Sequence, residues 1–126
     1  MDAVLRAIRG ATTVDQDAAD QVFSRTQELV REILAANELG PEELVSIIFT
    51  VTPDITSAFP ATAARALGLD DVPLLGAVEA SVQGALPLCI RVLVHCYSTR
   101  PRSEVRHVYR EGAVGLRSGL DAATRT

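Results

Sequence analysis

The run CIRVLVHCY at residues 89–97 constrains this chain most. It is rich in β-branched side chains, which pack well on a pleated surface, and it is bounded by Pro87 and by the loop Ser98 to Arg102. A strand of this kind requires a sheet around it. The run LVSIIFTV at 44–51 is apolar on both faces, as a central buried strand would be. AVLRAIR at 3–9, closed by Gly10, Thr12 and Thr13, and LLGAVEA at 74–80 read as further strands, and VRHVY at 105–109 as a short last element. Val22, Thr26, Leu29 and Ile33 recur at helical spacing and predict a helix from about 17 to Asn37, with Asp15, Asp17 and Asp20 where a helix N-terminus favours negative charge. Asn37 and Gly40 supply its stop, and Pro41 with Glu42 and Glu43 begins a short turn or helical step. ATAARALG, ending at Gly68, predicts a second helix. The expected class is α+β, a mixed β-sheet packed with two helices.

With 126 residues the chain has the size of one domain, expected over 1–117, with a flexible tail at 118–126 rich in Gly, Ala, Ser and Thr. Hydrophobic residues make up 48% and aromatics 4%, with no Trp, which argues against stacking platforms for single-stranded nucleic acid. A net charge of −4 provides no basic field for a phosphate backbone. Cys89 and Cys96 lie seven apart with no CxxC and no ligand-spaced histidine, so neither zinc nor a redox pair is expected. The first residues lack a signal pattern and the apolar stretches are too short to span a bilayer, so a soluble, cytoplasmic protein is expected.

All twelve basic residues are arginines, seven of them at or after Arg91. Coding bias accounts for much of this, and a site that needs rigid bidentate donors for carboxylates is the alternative. Three charges fall inside otherwise apolar elements: Arg9, Glu79 and Arg91. Burying them unpaired costs several kcal/mol, so they must pair with one another, face water or meet a ligand. Tyr109 and His107 are less telling, and His95 reads as a satisfied structural histidine. Gly10 ahead of a helix is weak evidence for an anion-binding turn. These residues alone describe a small-molecule anion site built from arginines.

The segments IRGATTV at 8–14, TPDITSAFPATAAR at 52–65, CIRV at 89–92 and RHVY at 106–109 together resemble the monofunctional, trimeric AroH-type chorismate mutases, in the family's order and over nearly the whole chain. The resemblance implies a cofactor-free isomerase of aromatic amino acid biosynthesis. It would convert chorismate to prephenate as a homotrimeric pseudo-α/β-barrel, with active sites between subunits. It implies that Arg9 and Tyr109 hold a substrate carboxylate, that Glu79 accepts from the ring hydroxyl and that Arg91 reaches the ether oxygen of the breaking bond. Phe59 and Leu116 match apolar walls, the stretch Leu74, Leu75, Gly76, Ala77 and Val78 matches the strand lining the pocket, and Arg65 and Arg117 match arginines near its mouth. Two positions depart from the family: Thr62 stands where a lysine is frequent, and Gly76 where a cysteine is. A trimeric metabolite binder or an imine deaminase of similar fold is the rival reading, because fold alone does not decide activity.

Overall fold

The computed structural model describes residues 2–116. The expectations for Arg117 and for a tail at 118–126 fall outside the described residues. In chain order the elements are β1 (Val4–Thr13), α1 (Ala19–Ala36), a 3-10 turn at Pro41–Glu43, β2 (Leu44–Val51), α2 (Pro60–Arg65), β3 (Leu74–Val78), β4 (Cys89–Ser98), a 3-10 turn at Arg102–Glu104, β5 (Val108–Tyr109) and a 3-10 turn at Glu111–Ala113. The five strands form one mixed sheet in the order β3-β2-β4-β1-β5. The outer pairs, β2 with β3 and β1 with β5, are parallel, whereas β4 runs antiparallel to both of its neighbours. The strongest strand signal in the sequence is thus the central strand, with both edges satisfied.

Both helices pack on the same face of this sheet. Leu29, Val30 and Ile33 of α1 and Ala61 and Ala64 of α2 meet Ile8, Ile47, Phe49, Val92, Val94 and Cys96 in one core. Strand side chains alternate between faces, so the intervening residues project to the other side. There Leu5 and Leu75 are exposed and Ile48 and Leu93 half-buried. This corrects the reading of 44–51 as buried on both faces: Ile47 and Phe49 are buried, but Ile48 and Thr50 on the opposite face are only half-buried, and neither α1 nor α2 covers them. Among the described residues, one end of that face is covered, where Ala113, Leu86, Tyr109 and Leu116 pack on Ala11 and Cys89.

Gly10 does not close the first strand. The ladder with β4 continues to Thr13, and Gly10 lies where α1 presses on the sheet. A Cβ built there would sit 2.7 Å from Ile33 Cδ1 and 2.9 Å from Val92 Cγ1, so glycine is required by close approach and not by a turn. Of the three acids expected at the start of α1, only Asp20 lies in its first turn. Asp15 pairs instead with Arg25 at 3.1 Å, and Asp17 reaches across to another loop. Asn37 does end the helix, and its buried amide also donates to Arg106 O and accepts from Arg106 N–H. Both cysteines are free and buried, and burial pushes the Cys89 thiol up to about 11. No helix among the described residues is long and apolar enough to cross a membrane.

Candidate active site

Strand register gathers the charged residues on the face opposite α1 and α2. Tyr109, Ala11, Arg91, Thr50 and Ala77 pair in one row across all five strands, and Arg9, Leu93, Ile48 and Leu75 pair in the adjacent row. Tyr109 and Arg91 therefore flank Ala11, which is buried in a cluster with Cys89 and Ala113. Arg9 stands two residues along β1 from Ala11. Its side chain lines a cavity of about 470 Å³ together with Arg6, His95, Arg102 and His107.

Glu79 lies one residue beyond β3, where its backbone N–H still bonds Val51 O at 2.8 Å. Its carboxylate turns onto the same face, accepts from the Thr50 hydroxyl and lies 3.5 Å from Arg91 Nε. At that separation the two charges attract, but the Nε–H makes no hydrogen bond among the described residues although it is shielded from solvent. The Arg91 side chain as a whole is 43% exposed. The result is a guanidinium aimed by a carboxylate and held at the mouth of an open face, with donors left over. Such a group suits an anionic partner. Thr50 was missed in the sequence because a threonine in an apolar strand carries no signal of its own; only its register opposite Arg91 reveals it.

The remaining expected residues divide into two groups. Phe59, 78% exposed, lines a second and more apolar cavity of about 340 Å³ with Phe49, Gly76, Ala77 and Val78, beside the edge strand. Nothing lies within 4 Å of a Cβ built on Gly76, so the family's cysteine would meet open space there. Leu75 is exposed and Leu74 packs against the main core. Arg65 is exposed in the last turn of α2, and Leu116 packs beside Tyr109. Within one chain Phe59 and Arg9 line separate cavities, and neither Arg91 nor Tyr109 lines either of the two.

Asp17 holds the loop that carries Phe59. Its carboxylate accepts from Thr56 N–H at 3.0 Å, the Thr56 hydroxyl at 2.8 Å and Ser57 N–H at 3.0 Å. The Ser57 and Thr56 hydrogen bonds lower its pKa from 3.8 to about 2. A lowered carboxylate pKa means that the unfolded chain binds the proton first, so this contribution is complete above about pH 4 and is lost as pH falls through 2. Asp17→Asn should therefore melt at a lower temperature than the parent at pH 7, and the difference should shrink towards pH 2. Parallel melts followed by circular dichroism test this; a difference that persists at pH 2 contradicts it.

The sequence matches the family model of chorismate mutase type I over residues 5–120. The chain belongs to that family. It is 49% identical over 121 residues to chorismate mutase AroH of Thermus thermophilus, covering 95% of this chain and 99% of that protein. With chorismate mutase AroH of Bacillus subtilis (strain 168) it is 38% identical over 124 residues, covering 98% of each. The solved structure of a chorismate mutase from Clostridium thermocellum superposes with a TM-score of 0.85 at 44% identity, covering 86% of this chain and 96% of that one. Membership makes the chain an isomerase of aromatic amino acid biosynthesis and decides against the deaminase alternative.

Proposed function

We propose that this chain converts chorismate to prephenate as a homotrimer, in sites completed at subunit boundaries, with Arg9, Glu79, Arg91 and Tyr109 as the acting residues. The observation that carries this reading is the Glu79–Arg91 pair on the sheet face opposite α1 and α2, 3.5 Å apart and with the Arg91 Nε–H unbonded among the described residues. Chorismate is a dianion that rearranges when folded into a chair-like conformer, breaking one carbon–oxygen bond as one carbon–carbon bond forms. No nucleophile, proton transfer or cofactor is needed. The protein has two tasks, to hold the reactive conformer and to stabilise charge growing on the ether oxygen.

Arg9 and Tyr109 hold the side-chain carboxylate, and Glu79, oriented by Thr50, accepts from the ring hydroxyl at the far end. Arg91 meets the developing negative charge, an interaction that strengthens as the bond breaks and so lowers the barrier instead of only tightening binding. Exposed Leu5 and Leu75 on the same face support burial against neighbouring copies. Neither Arg9 nor Arg91 lines the cavity of Phe59, which supports a site to which Phe59, Gly76 and Arg65 contribute from a second subunit. Leu116 and Arg117 belong to the same reading, with the catalytic domain extending through 117, and a cytoplasmic location fits it.

The test is an assay of the purified protein with chorismate, following loss of its ultraviolet absorbance and identifying prephenate by acid conversion to phenylpyruvate. Light scattering on the same sample measures the assembly. Cofactor-free turnover by a particle of three 13.4 kDa chains is expected. Turnover by a monomer would overturn the shared site, and a folded trimer without turnover would overturn the reaction.

A further inference from the structure

β5 is only two residues long, and its pairing with β1 covers Gly10 and Ala11 alone. Arg110 N–H continues that edge by bonding Ala11 O at 2.9 Å. On the other side of the pairing the ladder stops, and the Arg9 N–H, which points to this edge, has no strand carbonyl to meet. The imidazole of His107 fills the place: its Nδ1 accepts the Arg9 N–H at 2.9 Å. We propose that His107 is a positioning residue for Arg9, its side chain replacing the missing strand acceptor and fixing β1 where Arg9 leaves the sheet. The proposal rests on the reading of Arg9 as the residue that grips a substrate carboxylate.

Two further observations support it. His107 is held from behind, because Asn37 at the end of α1 bonds both backbone groups of Arg106, donating to its carbonyl at 2.9 Å and accepting from its N–H at 2.8 Å. The main helix thus anchors the segment whose next residue supports Arg9. The imidazole is also kept in the state the role requires. Accepting through Nδ1 demands an unprotonated Nδ1, with the neutral ring's proton on Nε2. The titratable side chains that line the cavity with His107 are Arg6 and Arg9 of β1, His95 of β4 and Arg102, and no carboxylate among the described residues lines it. Burial, and then the Arg9 guanidinium, push the His107 pKa below its ordinary value of 6.5.

Asparagine places an oxygen where histidine has Nδ1 and does not titrate, whereas phenylalanine keeps the ring volume and deletes the acceptor. His107→Phe should raise KM for chorismate about tenfold, the effect of one lost hydrogen bond, with kcat changed much less. His107→Asn should return KM to within about threefold of the parent value. A purely structural role would reduce the amount of active enzyme and lower apparent kcat while leaving KM unmoved. In nitrogen-15 spectra of the parent protein at pH 7.5, the His107 Nδ1 should appear unprotonated. An unchanged KM in His107→Phe, failure of His107→Asn to restore it, or a protonated Nδ1 overturns the proposal. Arg9→Ala is measured alongside. If it raises KM while both His107 variants behave as the parent, only the positioning role fails; if it leaves KM unchanged, the reading of Arg9 fails and takes this proposal with it.

Discussion

Replacing Arg91 by alanine is expected to lower kcat by two to three orders of magnitude, about 3 to 4 kcal/mol of transition-state stabilisation, in a protein that remains folded. The size follows from timing. A donor that binds ground state and transition state equally changes KM, but the charge on the ether oxygen exists only as the bond breaks, so its partner acts on kcat. The fold should survive because the side chain is 43% exposed and the carboxylate paired with it, Glu79, keeps its bond from Thr50. Arg91→Lys should recover part of the loss: the charge returns, but the planar fork and its aim from Glu79 do not. Single-turnover kinetics with saturating enzyme isolate the chemical step. An Arg91→Ala protein with near-parental kcat would show that the ether oxygen is stabilised elsewhere.

Gly10→Val should be the most damaging substitution for stability, by about 1–3 kcal/mol or more. Valine is a good strand residue, so local propensity predicts improvement. The interior predicts the reverse, because the first carbon added would stand 2.7 Å from Ile33 Cδ1, 2.9 Å from Val92 Cγ1 and 3.2 Å from Leu29 Cδ1. All three neighbours belong to the packed core, where relief at one contact creates strain at the next. Separating α1 from the sheet would also disturb the strand from which Arg9 projects. Thermal melts at a fixed protein concentration measure the effect, with Gly76→Ala as the control, since open space surrounds that position. If Gly10→Val melts with the parent, the helix does not press on the sheet as described.

The two glycines show what a sequence conceals. Gly10 and Gly76 both interrupt strand patterns, and nothing local separates a contact that excludes a side chain from one that would accept it. The same limit explains Asp17, which reads as a helix-dipole acid because it precedes α1 by two residues. It holds residues 56 and 57 instead, a contact forty positions distant in the chain that no local pattern encodes. The strands were legible because β-branched runs have few alternatives, and the helix at 19–36 because its buried positions recur at the helical period. Arg9, Glu79 and Arg91 stood out as charges within apolar segments, whereas Tyr109 was less telling by itself and drew notice only through the resemblance to the family.

The amino-acid order by itself therefore determined the elements, the class and the family, because periodicity, strand propensity and motif content are local and survive without coordinates. The tertiary structure decided which face of the sheet α1 and α2 leave, that Thr50 bonds Glu79 and His107 bonds Arg9, and that Phe59 lines a cavity that Arg91 does not. Those depend on strand order and register, which long-range packing sets: a shift of one residue in β4 would carry Arg91 to the opposite face, into the core beneath α1.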